Sequence, residues 1–413
     1  MKLRSLLTFT VVSLFAAQAY AADSIADMFS EGSVHGQIRA FSYTYDNEGS
    51  SRDLGDNVIG GFVYYKTAPL HGISLGLTFA TANNFLSDDN KGNYGLLDES
   101  TASEHKSYTK MMEYYIQGDY FDTTFKYGAQ EIYTPIMNMD YCRLLPKTYK
   151  GLSIANKSID NLELDAYYIT GYSNWNDSDY MPIMSSVTDS DDENPLLIGG
   201  AKYHVPTESV NLGIEGWVYH MDDVFNSQMA IVNLSKTIND VNVSFIPSYL
   251  KQDSAGDDLA GKLDTYQYGF QTGVNFNGID LKAYYSKTGD DALFTPWGFG
   301  KVIMQQYMVS GNRAEEDAYG VLVGYDLTKI GLTGLSAYVW YTVYDTPDSG
   351  SSATPDAVET DYNLQYKFGK NFNGALDGLS LEAGLADINY DGAEDAKELR
   401  LRLIYSFKFG KNS

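Results

Sequence analysis

Residues 121–152 read FDTTFKYGAQEIYTPIMNMDYCRLLPKTYKGL. The first half alternates: Phe121, Thr123, Phe125, Tyr127 and Ala129 share one side, and Asp122, Thr124, Lys126, Gly128 and Gln130 share the other. A period of two predicts a strand over Phe121–Ile132 with one less polar face and one wetter face. The alternation then stops. A segment bracketed by Pro135 and Pro146 follows, and Ile136, Met137, Met139, Leu144 and Leu145 make it too apolar to lie open to water. A loop of that kind folds back against something, and the rest of the chain has to supply the surface.

Outward from this stretch, alternating segments run from Ser33–Tyr45 to Glu398–Phe409, about eighteen in all, and the stretch above holds the fifth. The connections sort by parity. Those after even segments are turns, such as Asn239-Asp240 and Asn277-Gly278, whereas the long ones, Asn83–Lys106, Tyr133–Lys150, Ser173–Pro195 and Gly289–Asp317, all follow odd segments. Short turns at one end and long loops at the other, with an even strand number, define a transmembrane antiparallel β-barrel. A water-soluble sandwich gives no reason for that separation. The apolar loop then has a place to find cover: inside the barrel, packed against its wall.

Composition agrees. The chain has 413 residues, with 35 tyrosines, 38 glycines and only 10 prolines. Tyrosine favours strands and the membrane–water boundary. Residues 1–21 carry Lys2 and Arg4, an apolar run from Leu6 to Phe15 and the small-x-small site Ala19-Tyr20-Ala21, which is the pattern of a cleaved signal peptide. Residues 22–413 are then expected to form a single outer-membrane barrel domain. The chain has 29 basic and 54 acidic residues; loss of Lys2 and Arg4 leaves 27 against 54, or −27. That balance excludes nucleic acid as a partner. Cys142 is alone, so neither an internal disulfide nor a thiolate metal site is expected. Beyond the leader no apolar run reaches the ~20 residues of a spanning helix.

The last segment shows the two faces most plainly. Leu399, Leu401, Leu403, Tyr405, Phe407 and Phe409 form an apolar row for lipid, and Glu398, Arg400, Arg402, Ser406 and Lys408 belong to the lumen row. A charge facing lipid at the midplane costs about 2–4 kcal/mol, so the assignment has only one sense. The same parity places Arg39, Lys126, Lys282 and Lys367 inside, with Glu113, Asp119, Asp122, Asp280, Glu359, Asp361 and Glu382 as acidic company. The first and last strands of a closed barrel are neighbours, so Arg39, Arg400 and Arg402 are expected on one wall.

These residues resemble a known family. Tyr127-Gly128, Pro135 and the run Arg143-Leu144-Leu145-Pro146-Lys147-Thr148-Tyr149-Lys150-Gly151 are similar to the YG strand end, proline-containing loop and R-L-L-P-x-[TF]-[FY]-x-G block of the OprD-type specific porins of Gram-negative outer membranes. Asn312-Arg313-Ala314-Glu315, Tyr325-Asp326-Leu327 and Gly331-Leu332-Thr333-Gly334-Leu335 resemble a later segment of that family, and Gln37-Ile38-Arg39-Ala40-Phe41 its first strand, with Ala40 where Asn is usual. The resemblance implies an eighteen-stranded barrel narrowed by inward loops, with a basic ladder guiding the carboxylates of small solutes. Carried over by position, Arg143 belongs to the constricting loop, where Tyr141, Met139 and Lys147 are its neighbours. Arg39 and Arg400 belong to the wall; Arg402, Lys126 and Lys282 join it by parity. Arg313 and Trp297 mark the second candidate for an inward loop.

The expected activity is passive diffusion of small hydrophilic solutes, small carboxylates or amino acids, through the outer membrane, by a monomer or a homotrimer in contact with lipid and lipopolysaccharide. No cofactor or metal is expected. The acidic run Asp189-Ser190-Asp191-Asp192-Glu193 lacks the ordered spacing and turn glycine of a Ca²⁺ loop and reads as solvated. Two alternatives are a barrel hydrolase and a secreted β-sandwich lectin or adhesin. The first lacks a nucleophile elbow or an H-E-x-x-H motif, and the second conflicts with loop parity.

Overall fold

A computed structural model describes residues 22–99, 104–190, 192–298, 307–369 and 371–410; the expected leader, residues 1–21, lies outside them. Among the described residues, eighteen long strands follow one another. They are β1 (Ser33–Asn47), β2 (Leu54–Lys66), β3 (Ile73–Asn84), β4 (Tyr108–Tyr120), β5 (Thr123–Gln130), β6 (Thr148–Ile159), β7 (Leu162–Ser173), β8 (Leu196–Val205) and β9 (Asn211–Met221). The second half comprises β10 (Phe225–Ile238), β11 (Val241–Ser254), β12 (Asp264–Phe276), β13 (Ile279–Thr288), β14 (Asp317–Asp326), β15 (Leu335–Asp345), β16 (Ala357–Lys367), β17 (Leu379–Tyr390) and β18 (Ala396–Phe409). Each pairs antiparallel with its sequence neighbours, and β1 pairs with β18 from Val34↔Phe409 to Asn47↔Ala396, which closes the sheet. Closure leaves no open edge in lipid, where an unpaired backbone group costs several kcal/mol.

All eighteen segments read from alternation are strands, half of them one to three residues longer than expected. The reading of Phe121–Ile132 is corrected at both ends. Phe121 (φ 51°) and Asp122 (φ 55°) form the turn between β4 and β5, so Asp122 sits in that turn and not on the lumen face. Two-residue hairpin turns require positive φ to match strand twist, and Asn239-Asp240 and Asn277-Gly278 do the same. Thr148–Lys150, read as loop, begins β6. Gly128 explains the Tyr127-Gly128 pair: at φ 133° a Cβ would lie 2.2 Å from the Tyr114 carbonyl oxygen. Pro247 has no N–H, and the ladder between β10 and β11 is interrupted there, between Ile231↔Ser248 and Leu234↔Phe245.

The faces follow parity. On β18 Leu399, Leu401, Leu403 and Tyr405 are exposed outward, whereas Glu398 and Arg400 are buried. The long-loop end of the lumen is packed rather than open. Ile132, Ile136 and Met137 join Tyr149, Ile169, Trp217, Phe225 and Trp297 in one apolar cluster. Leu144 and Leu145 join Leu96, Leu97, Phe41, Tyr43 and Val58 in another. Val309, Tyr344, Ala386 and Ile388 form a third, with Tyr307 and Met308 against it. The apolar 131–147 loop therefore finds its cover inside the barrel, between residues 94–97 on one side and residues 293–297 on the other. Beyond β5 the gap in the wall is bridged by side chains: Tyr180 Oη donates within reach of both Met112 O (2.5 Å) and Thr148 Oγ1 (2.7 Å), and Met181–Pro182 pair briefly with β7.

Candidate functional site: a constriction built on Tyr43

Strand β1 turns Arg39, Phe41 and Tyr43 into the lumen at every second residue, and β18 turns in Glu398, Arg400 and Arg402. Their register sets Phe41 opposite Arg402 and Tyr43 opposite Arg400. Tyr43 is fully buried and central. Its hydroxyl donates to Cys142 O (2.8 Å) and accepts from Arg402 Nε (2.6 Å). The guanidinium carbons of Arg143, Arg400 and Arg402 lie 5.7, 5.3 and 5.3 Å from its ring centroid. Like charges this close repel, and the negative ring face offsets part of that cost, about 0.5–2 kcal/mol per contact.

The wall arginines also hold the loop. Arg39 donates through Nη1 to Leu144 O and through Nε to Gln37 Oε1 (2.8 Å), and it faces Phe62 and Tyr141 at 5.2 and 5.5 Å. Arg402 donates to Cys142 O (3.2 Å) and pairs with Glu382 (3.1 Å). Arg400 pairs with Glu398 (2.8 Å), donates to Tyr307 O (3.2 Å) and stacks 4.2 Å from the Tyr307 ring. Arg143, on the loop itself, lies 5.2 Å from Tyr94 and 5.4 Å from Trp175. Lys147 is buried between Asp140 (3.5 Å) and the Trp175 ring (4.1 Å). Tyr141 Oη donates to Glu131 Oε1 (2.5 Å), and Met139 O accepts from Lys147 N (2.8 Å). Burial pushes the Cys142 thiol up from its usual range, which keeps it protonated.

The loop after β13 comes inward to meet the first. Trp297 is buried; its carbonyl accepts from Tyr149 Oη (2.7 Å) and Asn138 N (3.2 Å), and its ring N–H donates to Ser186 Oγ (2.9 Å). Buried carboxylates of β16 hold the returning segment of that loop: Glu359 accepts from Met308 N (2.9 Å) and Val309 N (2.8 Å), and Asp361 from Tyr307 N (3.3 Å). Arg313 sits at the rim, pairing with Glu316 (2.5 Å) and donating to Pro355 O (2.6 Å).

Arg39, Arg143, Arg400 and Arg402 are thus brought together around one tyrosine, with Tyr141 and Lys147 beside them. Two lysines are elsewhere on the lumen face. Lys126 lies 4.4 Å over the Tyr115 ring, and Lys282 pairs with Asp280 (3.2 Å). Tyr43, Tyr94, Tyr307, Glu382 and Glu398 are functional neighbours that the sequence reading did not single out in these roles. For Tyr43 the signal was present, since the parity that turns Arg39 inward also turns in Phe41 and Tyr43. Among the described residues no group of three or more His, Cys, Asp or Glu is placed to hold a metal ion.

A closed, lipid-facing barrel of eighteen strands with loops folded into its lumen is an outer-membrane porin, a passive channel for small solutes. Residues 65–409 match the family described as outer membrane porin, OprD family, and the chain belongs to it. Solved structures with the same fold include OpdK of Pseudomonas aeruginosa with vanillate (TM-score 0.81, 18% identity, covering 92% of this chain and 100% of that one). OccK9 (OpdG) of Pseudomonas aeruginosa gives a TM-score of 0.82 at 19% identity, with the same coverage of both chains. OccAB2 of Acinetobacter baumannii gives 0.79 at 20% identity, covering 92% of this chain and 99% of that one. No curated protein sequence matches the chain.

Proposed function

We propose that the pore passes small hydrophilic solutes bearing a carboxylate, small organic acids and amino acids, and that Arg39, Arg143, Arg400 and Arg402 draw that carboxylate to the constriction. The observation that carries this reading is a pair of unused donors at Tyr43. Nε of Arg143 and Nε of Arg400 are buried and make no hydrogen bond among the described residues. Such a donor left without an acceptor costs about 1–3 kcal/mol, which an arriving carboxylate recovers. Planar rings alternating with guanidinium groups also suit a flat carboxylate. Vanillate, the ligand in the OpdK structure, is an aromatic carboxylate.

Glu131, Glu113 and Glu382 are the acidic counterpart for an ammonium end, and Lys126 and Lys282 extend the basic wall toward the short-turn end. Met139, Tyr141 and Lys147 set the inner edge of the constriction, and Trp297 and Arg313 hold the second loop in place. The outward rows meet lipid and lipopolysaccharide, with the chain acting as a monomer or a homotrimer after loss of residues 1–21.

Single-channel recording tests the reading. Reconstituted protein is expected to give conductance steps, and the double variant Arg400→Ala with Arg402→Ala is expected to shift the reversal potential toward cations. An unchanged reversal potential removes these arginines from selectivity.

A further inference from the structure

The described part of the loop after β3 is tied to the wall by a buried cluster at the long-loop end of β2. Asp56 is 1% exposed and works with both oxygens. Oδ2 accepts from Tyr94 N (2.8 Å) and Leu96 N (3.0 Å), which fixes the turn of the loop. Oδ1 meets Nδ1 of buried His105 at 2.9 Å, and the other ring nitrogen, Nε2, meets Lys91 O at 3.0 Å. His105 N donates to Asn93 Oδ1 (2.6 Å). A neutral imidazole has one N–H and one lone pair, so it can satisfy only one of two acceptors. A carboxylate on one side and a carbonyl on the other call for the doubly protonated ring.

What this cluster positions lies directly on Arg143. Tyr94 presents its ring to the Arg143 guanidinium at 5.2 Å, stacks 5.6 Å from Tyr45 and reaches Met308 Sδ with its hydroxyl (3.2 Å). Gly95 lies so close that a Cβ there would be 2.9 Å from Arg143 Nε. Leu96 and Leu97 cover Leu144 and Leu145. The 94–97 turn is therefore the outer seat of the constricting arginine, and Asp56 with His105 holds that seat down.

We propose that Asp56 and His105 are positioning residues of the pore, an imidazolium latch that seats the 94–97 turn against Arg143 and makes the constriction respond to pH at the cell exterior. The inference rests on the channel reading above. Burial alone lowers the basicity of His105, but the Asp56 hydrogen bond and the Lys91 carbonyl outweigh it, and the ring ends above its usual value. A raised value means that the latch is complete below the usual histidine pKa of about 6.5 and is lost as pH rises through the folded value. The groups that act on the ring are Asp56 from β2 and Asp88, Glu104 and the Lys91 carbonyl from the loop. Arg52 is paired with Glu104 (2.7 Å) and Lys91 with Asp46 (2.6 Å), which leaves Asp56 as the carboxylate in contact with the ring.

The test is single-channel recording of the reconstituted full chain from about pH 5 to pH 9, across the histidine range. The wild type is expected to keep one conductance at the acid end and to pass to a higher, noisier level at the alkaline end, as the turn leaves Arg143. His105→Gln and Asp56→Asn are expected to lose that step and to hold one level throughout. A flat wild-type profile, or the same step in His105→Gln, overturns the latch while leaving the channel reading intact; absence of any conductance contradicts the channel itself. Should the variants fail to insert, histidine ring NMR of the wild type decides. A buried histidine titrating above the usual value is expected, and five histidines that all titrate at or below it overturn the proposal.

Discussion

Tyr43 has no exposed surface, yet its hydroxyl ties together three parts of the chain: its own strand, Arg402 of β18 and Cys142 of the inward loop. Hydrogen bonds to charged groups contribute about 1.5–3 kcal/mol, more than neutral ones. Tyr43→Phe keeps the ring under Arg143 and Arg400 but removes the hydroxyl, leaving Arg402 Nε without its acceptor. The expected outcome is a fall in stability of about 1.5–3 kcal/mol in denaturant titrations, with larger open-channel fluctuations because Cys142 O keeps only its Arg402 contact. A conductance trace unchanged in mean and noise contradicts a role in holding the loop. At this scale the sequence was partly legible. Arg39, Arg400 and Arg402 could be placed on one wall because parity and barrel closure are sufficient for it. The contact between His105 and Asp56 spans 49 residues and depends on how an irregular loop folds over β2, which no periodicity reports.

The strands were legible because lipid enforces a strict alternation, and their ends were less so because the alternation fades where β-structure leaves the membrane. Phe121 shows the limit: it continues the apolar row in sequence but sits at φ 51° in a turn, 92% exposed. Strand β18 gives the sharpest comparison of the two faces. Leu403 points outward near its middle, and Ser406 belongs to the lumen row, where it accepts from Gln37 Nε2 (3.1 Å). Leu403→Arg is expected to reduce the free energy of folding into bilayers by about 2–4 kcal/mol. Ser406→Arg is expected to leave it nearly unchanged while altering conductance. Urea titration in lipid vesicles measures the first, and equal destabilisation by both substitutions contradicts the face assignment. The inward loops obey a different logic. Their apolar residues were readable as needing cover, but which partner covers them, Trp297 for Met137 or Leu96 and Leu97 for Leu144 and Leu145, is settled only once the barrel brings the loops together.

The whole molecule sets an acidic chain around a basic constriction, and the two act over different distances. The formal charge is −25, yet the arginines at Tyr43 outnumber the carboxylates paired with them, Glu382 and Glu398. Asp46, Glu48, Asp53, Asp387, Asp391 and Asp395 lie at the long-loop rim, where Lys91 pairs with Asp46 and Lys397 is shared between Glu48 and Asp387, two lysines for six carboxylates. Asp46 is three residues from Tyr43 along β1, about 10 Å at the usual strand rise. The Debye length is about 10 Å at 0.1 M salt and about 3 Å at 1 M. At the lower concentration the rim field reaches the constriction and recruits cations; at the higher one it is screened, and a solute at Tyr43 meets the guanidinium groups alone. Reversal potentials in salt gradients should therefore move toward anions as the mean concentration rises from about 0.1 M to about 1 M. The double variant Arg400→Ala with Arg402→Ala should be more cation-selective at every concentration and approach neutrality rather than anion preference at about 1 M, because screening the acidic rim then exposes fewer guanidinium groups. A wild-type preference that stays constant across the range, or a double variant as anion-selective as the wild type at about 1 M, contradicts a division of labour between rim and constriction.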